Sequence, residues 1–565
     1  MVLMSFVNRQ AGLGGCWSLA SVSAALRSRR RRRNRRSREP VQCCLQGQGG
    51  RLYRLTSALG LTAMARPAIL KAIPDWRSLS APMVAAVLLS GCAVGPDYRA
   101  PIVNLPAHWS GDQTRQVPAP AHPSHWWSRL NDPLLDALID EATASNLDVA
   151  TSKAKIREAR YSLQQTTAGL FPSVTGSGSA TRNKSGTSTI DTAGTSSLPY
   201  NQFQAGFDSS WELDLFGATR RGVEAATRNL EASEDDLQAT LLTLVGDVAA
   251  YYVDARGYQA RIALARRTAA SQRETAALTR VKFEAGSASA VDTAKAVAQA
   301  SSTEANVPSF EAAYAADVHR LGILLGREPQ ALTQALARTA SIPTPRMPLP
   351  KGIPADILLT RPDVRAAERR LAQATAKIGQ AEAALYPSVS LTGSVSTSAL
   401  RLGDLAKYSS VSWSFGPSVS IPIFDAGKLR AAVGVSQAQR DQYHVAFRAA
   451  VLTALEDVEN AIVSLNGERT KARRLADATT NYREAARLSR SLYQNGSSSF
   501  LDVLDSERSL YSSEDSLLQS RVAIAKDYVA LAKALGDGWD GAIDSTRPEV
   551  VDTDTGPHLP PSLQQ

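Results

Sequence analysis

Residues 493–505 read Y-Q-N-G-S-S-S-F-L-D-V-L-D and hold the side chains best placed to act on a charged solute. Asp502 and Asp505 stand three apart, so on a helix they share one face. If several chains surround an axis, each aspartate becomes a ring of carboxylates that attracts cations and repels its own copies. The same residues also fit a plainer role as solvated charges that the helix dipole favours at a helix start. Other chemistry is absent from the pattern. The histidines (His108, His122, His125, His319, His444, His558) are scattered without paired metal-ligand spacing. No glycine-rich phosphate loop precedes a helix, and no nucleophile elbow is present. The expectation is a protein that is not an enzyme and carries no cofactor.

The acidic stretch occurs twice. Residues 283–292 read F-E-A-G-S-A-S-A-V-D, 210 positions earlier. An aromatic (Phe283, Tyr493), a glycine (Gly286, Gly496), two serines (Ser287 and Ser289, Ser497 and Ser499) and an aspartate (Asp292, Asp502) recur at identical offsets. Each copy lies between long helical patterns and reads as a hairpin tip, with glycine ending the incoming helix and serine capping the outgoing one. The same offset aligns Asp247-Val248 with Asp457-Val458, Gly257 with Gly467, and Leu325-Gly326 with Leu535-Gly536. A gap-free register of this extent is an internal duplication. The copies differ after the aspartate: the second continues to Asp505, whereas the first has Lys295. The double carboxylate is therefore expected from the second hairpin alone, and the first is expected to serve docking and packing.

The formal charge of the 565-residue chain is +10, but its distribution argues against nucleic acid. Residues 1–63 carry +11 and residues 64–91 carry +2, leaving a body of about −3. The arginine run at 29–38 precedes an export signal. Arg66, Lys71 and Arg77 form a basic start, residues 81–89 an apolar core too short to span a membrane, and Leu89-Ser90-Gly91-Cys92 a small-residue end. This ending resembles the bacterial lipobox, which implies that the Cys92 thiol is acylated and becomes the first mature residue. Met64 is the expected start, with 1–63 a spurious or disordered basic extension. Cys16, Cys43 and Cys44 fall in that extension, so no disulfide is expected.

The elements that hold the tips follow from periodicity. Residues 92–131 read as a lipid-anchored linker rich in Pro, Gly and Trp. Helices are expected at Asp132-Pro133 and over 147–169, the latter stopping at Phe171-Pro172. Composition then turns to Ser, Thr and Gly. Strands are expected over 173–180 and 202–216, the second placing Phe203, Ala205, Phe207, Trp211 and Leu213 on one face; a polar loop over 182–200 separates them. The duplicate alternates at Val389, Leu391 and Val395, then at Val411, Trp413, Phe415, Val419, Ile421 and Ile423. Each return strand feeds a helix about 100 Å long, over 219–282 and 428–492. Beyond the second tip, Val503, Leu510, Leu517, Ile524 and Leu531 repeat every seven residues, a coiled-coil seam. Val307, Tyr314 and Leu321 continue it in the first copy, where Pro308 is expected to kink a helix over 291–325. The shorter helices over 147–169 and 291–325 together match a long one, so two stacked end to end are expected to flank it.

Four amphipathic strands suit a membrane barrel but cannot close one. Open edges are not tolerated in hydrocarbon, and barrels of this kind start at about eight strands, so the barrel must be shared among protomers. The chain at this point resembles the TolC-like outer membrane factors, in particular the NodT-type lipoproteins that serve resistance-nodulation-division (RND) efflux pumps. The marks are the lipobox with Gly95-Pro96-Asp97-Tyr98, Trp126-Trp127 with Asn131-Asp132-Pro133-Leu134, and Trp211-Glu212-Leu213-Asp214-Leu215-Phe216-Gly217. Arg361-Pro362-Asp363-Val364-Arg365 with Glu368, Pro422-Ile423-Phe424-Asp425-Ala426-Gly427 and the two tips complete them.

The resemblance implies an α+β membrane protein, a homotrimer whose 12-stranded outer-membrane barrel continues into a periplasmic helical tunnel. It implies passive export of drugs or other small toxic molecules, driven by an inner-membrane RND pump through a periplasmic adaptor. It further implies that Asp502 and Asp505 constrict the periplasmic entrance, that Tyr493 and Asp292 belong to the gate, and that Gly286, Ser287, Gly496 and Ser497 meet the adaptor. The basic residue often found two positions after the second tip glycine is replaced here by Ser498. A type I protein secretion conduit and a periplasmic coiled-coil scaffold without a barrel are the alternative readings. The expected organisation is an extension (1–63), a signal (64–91), the linker (92–131), a first repeat (132–340), a second repeat (341–536) and a disordered tail (537–565).

Overall fold

The computed structural model describes residues 93–103, 125–184, 199–345, 360–536, 538–539 and 541–548. All of these belong to one compact unit, Asp75–Gln565. Cys92, the export signal and the extension at 1–63 lie outside the described residues.

Strands β1 (Ser173–Asn183), β2 (Tyr200–Leu213), β3 (Ser388–Ala399) and β4 (Val411–Ser420) form one antiparallel sheet in that order. The β2–β3 pairing joins the two repeats, with Phe207 opposite Val395 and Trp211 opposite Leu391. Partners across an antiparallel ladder share a face, so register decides what each face is made of. Phe207, Val395 and Trp413 fall in one row, and Trp211, Leu391 and Pro417 in another on the same face. The opposite face carries Thr175, Asp208, Ser394 and Ser414 in one row. There the Ser394 and Ser414 hydroxyls lie 2.9 Å apart and those of Ser396 and Ser412 3.1 Å apart. Among the described residues none covers the apolar face: Trp413 is 76% exposed and Phe207 66%. β1 and β4 are the sheet's two edges.

Two helices of 67 residues each leave the sheet, α3 (Ala218–Glu284) after β2 and α7 (Lys428–Gln494) after β4. At 1.5 Å per residue each spans about 100 Å. A nearby carboxylate caps each first turn: Asp214 accepts from the Arg220 amide at 2.8 Å and Asp425 from the Leu429 amide at 2.8 Å. Left-handed glycines recur in pairs 210 residues apart, Gly217 with Gly427, Gly286 with Gly496 and Gly326 with Gly536. The duplication read from side chains is therefore a duplication of backbone conformation.

Helices α1 (Pro133–Ser145), α2 (Leu147–Ala168), α4 (Ala290–Glu304) and α5 (Asn306–Leu324) pack along α3. Helix α6 (Pro362–Ala383) touches both long helices, and α8 (Phe500–Ala534) packs on α7 and α3. Charged rungs tie α6 to α3, with Arg365 on Asp235 at 2.7 Å and Arg369 on Glu231 at 3.2 Å. The main core gathers Trp126, Trp127, Leu135, Ile139, Val245, Tyr252, Leu321 and Tyr528. Within it the Tyr252 hydroxyl donates to Asp132 at 2.6 Å.

Four expectations need correction. The helix expected to kink at Pro308 is instead two helices parted at Ala305. A proline ring clashes with the carbonyl four residues earlier, here Glu304, so the helix ends there and Pro308 sits in the first turn of α5. The end of the supposed linker is core: Trp126–Leu130 form a short 3-10 turn with both tryptophans buried. Their apolar area is too large to leave in water. Part of the tail is ordered, because Trp539 stacks on Trp127 with centroids 6.1 Å apart and Arg157 donates to the Arg547 carbonyl at 2.7 Å. Strand β1 runs on into the expected loop as far as Asn183, while β2 stops at Leu213, where Asp214 turns to cap α3.

Candidate functional site

Both tips are built by the same local chemistry. The Ser287 amide donates to the Lys282 carbonyl at 2.7 Å and the Ser497 amide to the Leu492 carbonyl at 2.8 Å, the long closure that follows a left-handed glycine at a helix end. Gly286 (φ 76) and Gly496 (φ 78) have open space where a Cβ would point. Ser289 and Ser499 then start α4 and α8 with complete capping boxes.

The capping box fixes what the aspartates do locally. Asp292 Oδ2 accepts from the Ser289 hydroxyl at 2.8 Å. Asp502 Oδ2 accepts from the Ser498 hydroxyl at 2.7 Å, the Ser499 hydroxyl at 2.9 Å and the Ser499 amide at 3.1 Å. The Ser498 hydroxyl, then Ser499, hold the Asp502 carboxyl below the usual carboxylate range. Ser498, at the place of the missing basic residue, thus serves the carboxylate from its own loop. Asp502 and Asp505 are both exposed. The Asp505 carboxylate makes no hydrogen bond or ion pair among the described residues, so its charge is free to face a solute.

Tyr493 sits differently from its counterpart. It is 5% exposed, packs edge-on against Phe500 at 5.8 Å and, with Phe500 and Val503, meets Ala276 and Ala296 of the first hairpin. Its hydroxyl donates to Thr279 at 3.3 Å. The Lys282 ammonium reaches across from α3, donating to the Tyr493 carbonyl at 2.6 Å and lying 4.7 Å from the centre of its ring. One to two turns further from the tip, Glu507 on α8 accepts from Arg490 at 2.5 Å and from Thr275 at 2.9 Å, and Arg490 also reaches Ser271 at 2.6 Å. These contacts join the two hairpins within one chain.

The structure therefore brings Tyr493 and the first hairpin together and leaves Asp502, Asp505, Gly286, Ser287, Gly496 and Ser497 at the ends. Reading by sequence missed Lys282, Thr279, Arg490 and Glu507. Glu507 had a signal, an acid beside the apolar seam between Val503 and Leu510, which demands a cation. Among the described residues no group of His, Cys, Asp and Glu is placed to hold a metal ion.

A second built feature lies at the opposite end of α3. Residues 93–98 form a strap across the junction of β2 and α3. The Val94 amide donates to the Phe216 carbonyl at 3.1 Å, and Ala93 lies against Gly217. Buried Arg221 donates to the Val94 and Gly95 carbonyls, both at 3.2 Å, and to Asp97 at 2.8 Å. Gly95 (φ 94) lies so close to the backbone of Gly379 that no side chain fits. The Tyr98 hydroxyl donates to Glu368 at 3.0 Å.

A sheet with one bare apolar face, one polar face and two open edges, continued by helical hairpins about 100 Å long, defines a subunit of an outer-membrane channel. Comparison with known proteins agrees. The family described as "Outer membrane efflux protein" matches residues 138–327 and 353–537. Nodulation protein T of Rhizobium leguminosarum bv. trifolii is 36% identical over 463 residues, 80% of this chain and 96% of that protein. The solvent efflux pump outer membrane protein SrpC of Pseudomonas putida is 32% identical over 482 residues, 81% of this chain and 98% of that protein. The solved outer-membrane channel OprN superposes with a TM-score of 0.73 at 34% identity, covering 79% of this chain and 99% of its own. The chain belongs to the outer membrane efflux protein family. It is an outer-membrane efflux channel component of the TolC-like, NodT-type group, reaching into the periplasm.

Proposed function

We propose that three copies of this chain close a 12-stranded barrel and serve as the passive outer-membrane conduit of a tripartite pump, gated at the helix tips. The observation that carries this reading is the sheet: its apolar face needs lipid and its two edges need partners. Three copies of four strands satisfy both needs. Export then requires no chemistry from this chain, and energy comes from an inner-membrane RND pump through a periplasmic adaptor. The tips, with Gly286, Ser287, Gly496 and Ser497 exposed at their ends, are the surface offered to that adaptor. The cargo is a small toxic molecule such as a drug.

In this assembly Asp502 and Asp505 form two stacked carboxylate rings at the periplasmic entrance. Tyr493 and Asp292 brace the hairpins that carry them. Replacing both Asp502 and Asp505 with Ala raises the conductance of the purified trimer in planar bilayers and antibiotic leakage in cells. Unchanged conductance removes the gate assignment.

Cys92 carries the lipid. Support comes from the strap that follows it, which holds Ala93 against Gly217 at the junction of strand and helix, the level of the membrane's inner surface. Intact-mass measurement of the mature protein is expected to show acyl mass that a Cys92→Ala variant lacks. An unmodified wild-type mass overturns the assignment.

A further inference from the structure

We infer that Lys282 is a positioning residue for gating: from the first hairpin it caps the C-terminal end of α7 and so locks the second hairpin in the closed position. The inference rests on the tips being the gated entrance, and adds a residue that sequence reasoning gave no role.

Three observations carry it. First, the last carbonyls of a helix have no intrahelical donor and bear the negative end of the helix dipole, so a cation there is favoured. The Lys282 ammonium donates to one of them, the Tyr493 carbonyl, at 2.6 Å, alongside the Gly496 amide of the turn at 3.1 Å, and lies over the Tyr493 ring at 4.7 Å. Second, this contact is made in one direction only. The position equivalent to Lys282 in the second repeat is Leu492, which is 48% exposed and sends nothing back.

Third, the same device appears elsewhere in the chain in a permanent form. Arg361 caps the C-terminal end of α8 by donating to the Ala534 carbonyl at 2.9 Å, but it is buried and also pairs with Asp363 at 2.8 Å and Asp457 at 3.2 Å. Lys282 is half-exposed and has no carboxylate partner among the described residues. Arg361 is therefore a fixed joint, and Lys282 a contact that can be released without stranding a buried ion pair. When the hairpins part, its ammonium returns to water and the Tyr493 carbonyl keeps the Gly496 amide of its own turn.

The test is the closed-state conductance of the full-length trimer in planar bilayers, read with its melting temperature. Lys282→Met keeps the aliphatic stem and removes the charge; it is expected to raise conductance several-fold with a melting temperature near wild type. Lys282→Arg restores a cation and is expected to stay within about twofold of wild type. Tyr493→Phe keeps the carbonyl and ring and loses only the bond to Thr279, so its rise is expected to be smaller than that of Lys282→Met. A Tyr493→Phe channel that leaks as much as Lys282→Met overturns the proposal, because the hydroxyl would then hold the tip. So does an Arg variant that leaks like Met. If Lys282→Met fails to assemble, Lys282→Gln carries the same test; assembly of neither makes Lys282 a folding residue and overturns the proposal. The pair Asp502→Asn with Asp505→Asn, run alongside, separates the two readings. If that pair leaks and Lys282→Met does not, the lock is wrong and the gated entrance stands. If none of the variants leaks, the gated entrance fails together with the lock.

Discussion

At Gly286 and Gly496 the chain makes one turn twice, with φ of 76 and 78, the same closure by a serine amide and the same capping box. The side chains at equivalent positions then part company. Phe283 is 44% exposed where Tyr493 is 5% exposed, and Val297 is 53% exposed where Glu507 is 7% exposed. Arg280 pairs with Glu284 in its own exposed turn, whereas Arg490 reaches across to Ser271 and Glu507. Duplication has conserved the backbone instructions, and burial against a neighbour has reassigned the side chains. The second hairpin presents a braced face to the first; the first keeps a plainer tip.

The sharpest way to break this comparison is to remove the polar brace and its counterpart. Glu507→Ala leaves Arg490 without its carboxylate in a partly buried site and is expected to cost about 2 to 4 kcal/mol, whereas Val297→Ala should stay within about 0.5 kcal/mol. Thermal or denaturant unfolding of the solubilised protein reads both. Equal losses would mean that the tips are enclosed alike. Next in size are the turn glycines. Gly286→Ala and Gly496→Ala each force a Cβ into a left-handed conformation at about 1 kcal/mol, with no packing clash to add. The two losses should match, since this is the part of the tip that the repeats share; a marked difference would show one tip covered in the assembly.

A pH-dependent effect concerns Asp317 on α5 and its counterpart 210 residues on, Asp527 on α8. Burial, then the nearby Asp254, pushes the Asp317 carboxyl up to about 6; burial, then Glu468, raises that of Asp527. A raised carboxyl binds more protons folded than unfolded, so stability falls as pH rises from about 4 through 6. Asp317→Asn should therefore raise the melting temperature at pH 7.5, with the gain gone by about pH 4, and Asp527→Asn should do the same more weakly. A gain that persists at pH 4 would assign the effect to packing.

What could be read beforehand was what repeats locally. Strand alternation around Phe207 and Trp413, the long helices and both tips depend on neighbours within a few residues, and the 210-residue offset supplied each a second witness. Contacts between distant segments left no such trace. Lys282 reaches residue 493, Arg361 reaches Ala534 and Arg221 holds Gly95, at sequence separations of 211, 173 and 126 residues, which no local period encodes. Trp126 and Trp127 looked like linker because their partners, Tyr528 and Trp539, lie about 400 residues away. Pro308 was recognised as a breaker, but the break falls at Ala305 because its clash is with the preceding turn. Aspartates at the tips were legible as charges; that Asp502 is occupied by Ser498 and Ser499 while Asp505 is free is a matter of rotamers and loop geometry.

The β2–β3 ladder has a consequence for assembly kinetics. A barrel of twelve strands built from this chain contains six repeat-to-repeat joints, three within chains and three between them. The inner joints form at an effective concentration fixed by the tether, however dilute the protein. Only the β4-to-β1 joints depend on chains meeting. Fusing two half-units into one polypeptide thus lowers the order of the association reaction from six bodies to three. Each newly synthesised chain is left with two open strand edges to protect instead of the four that two separate halves would expose.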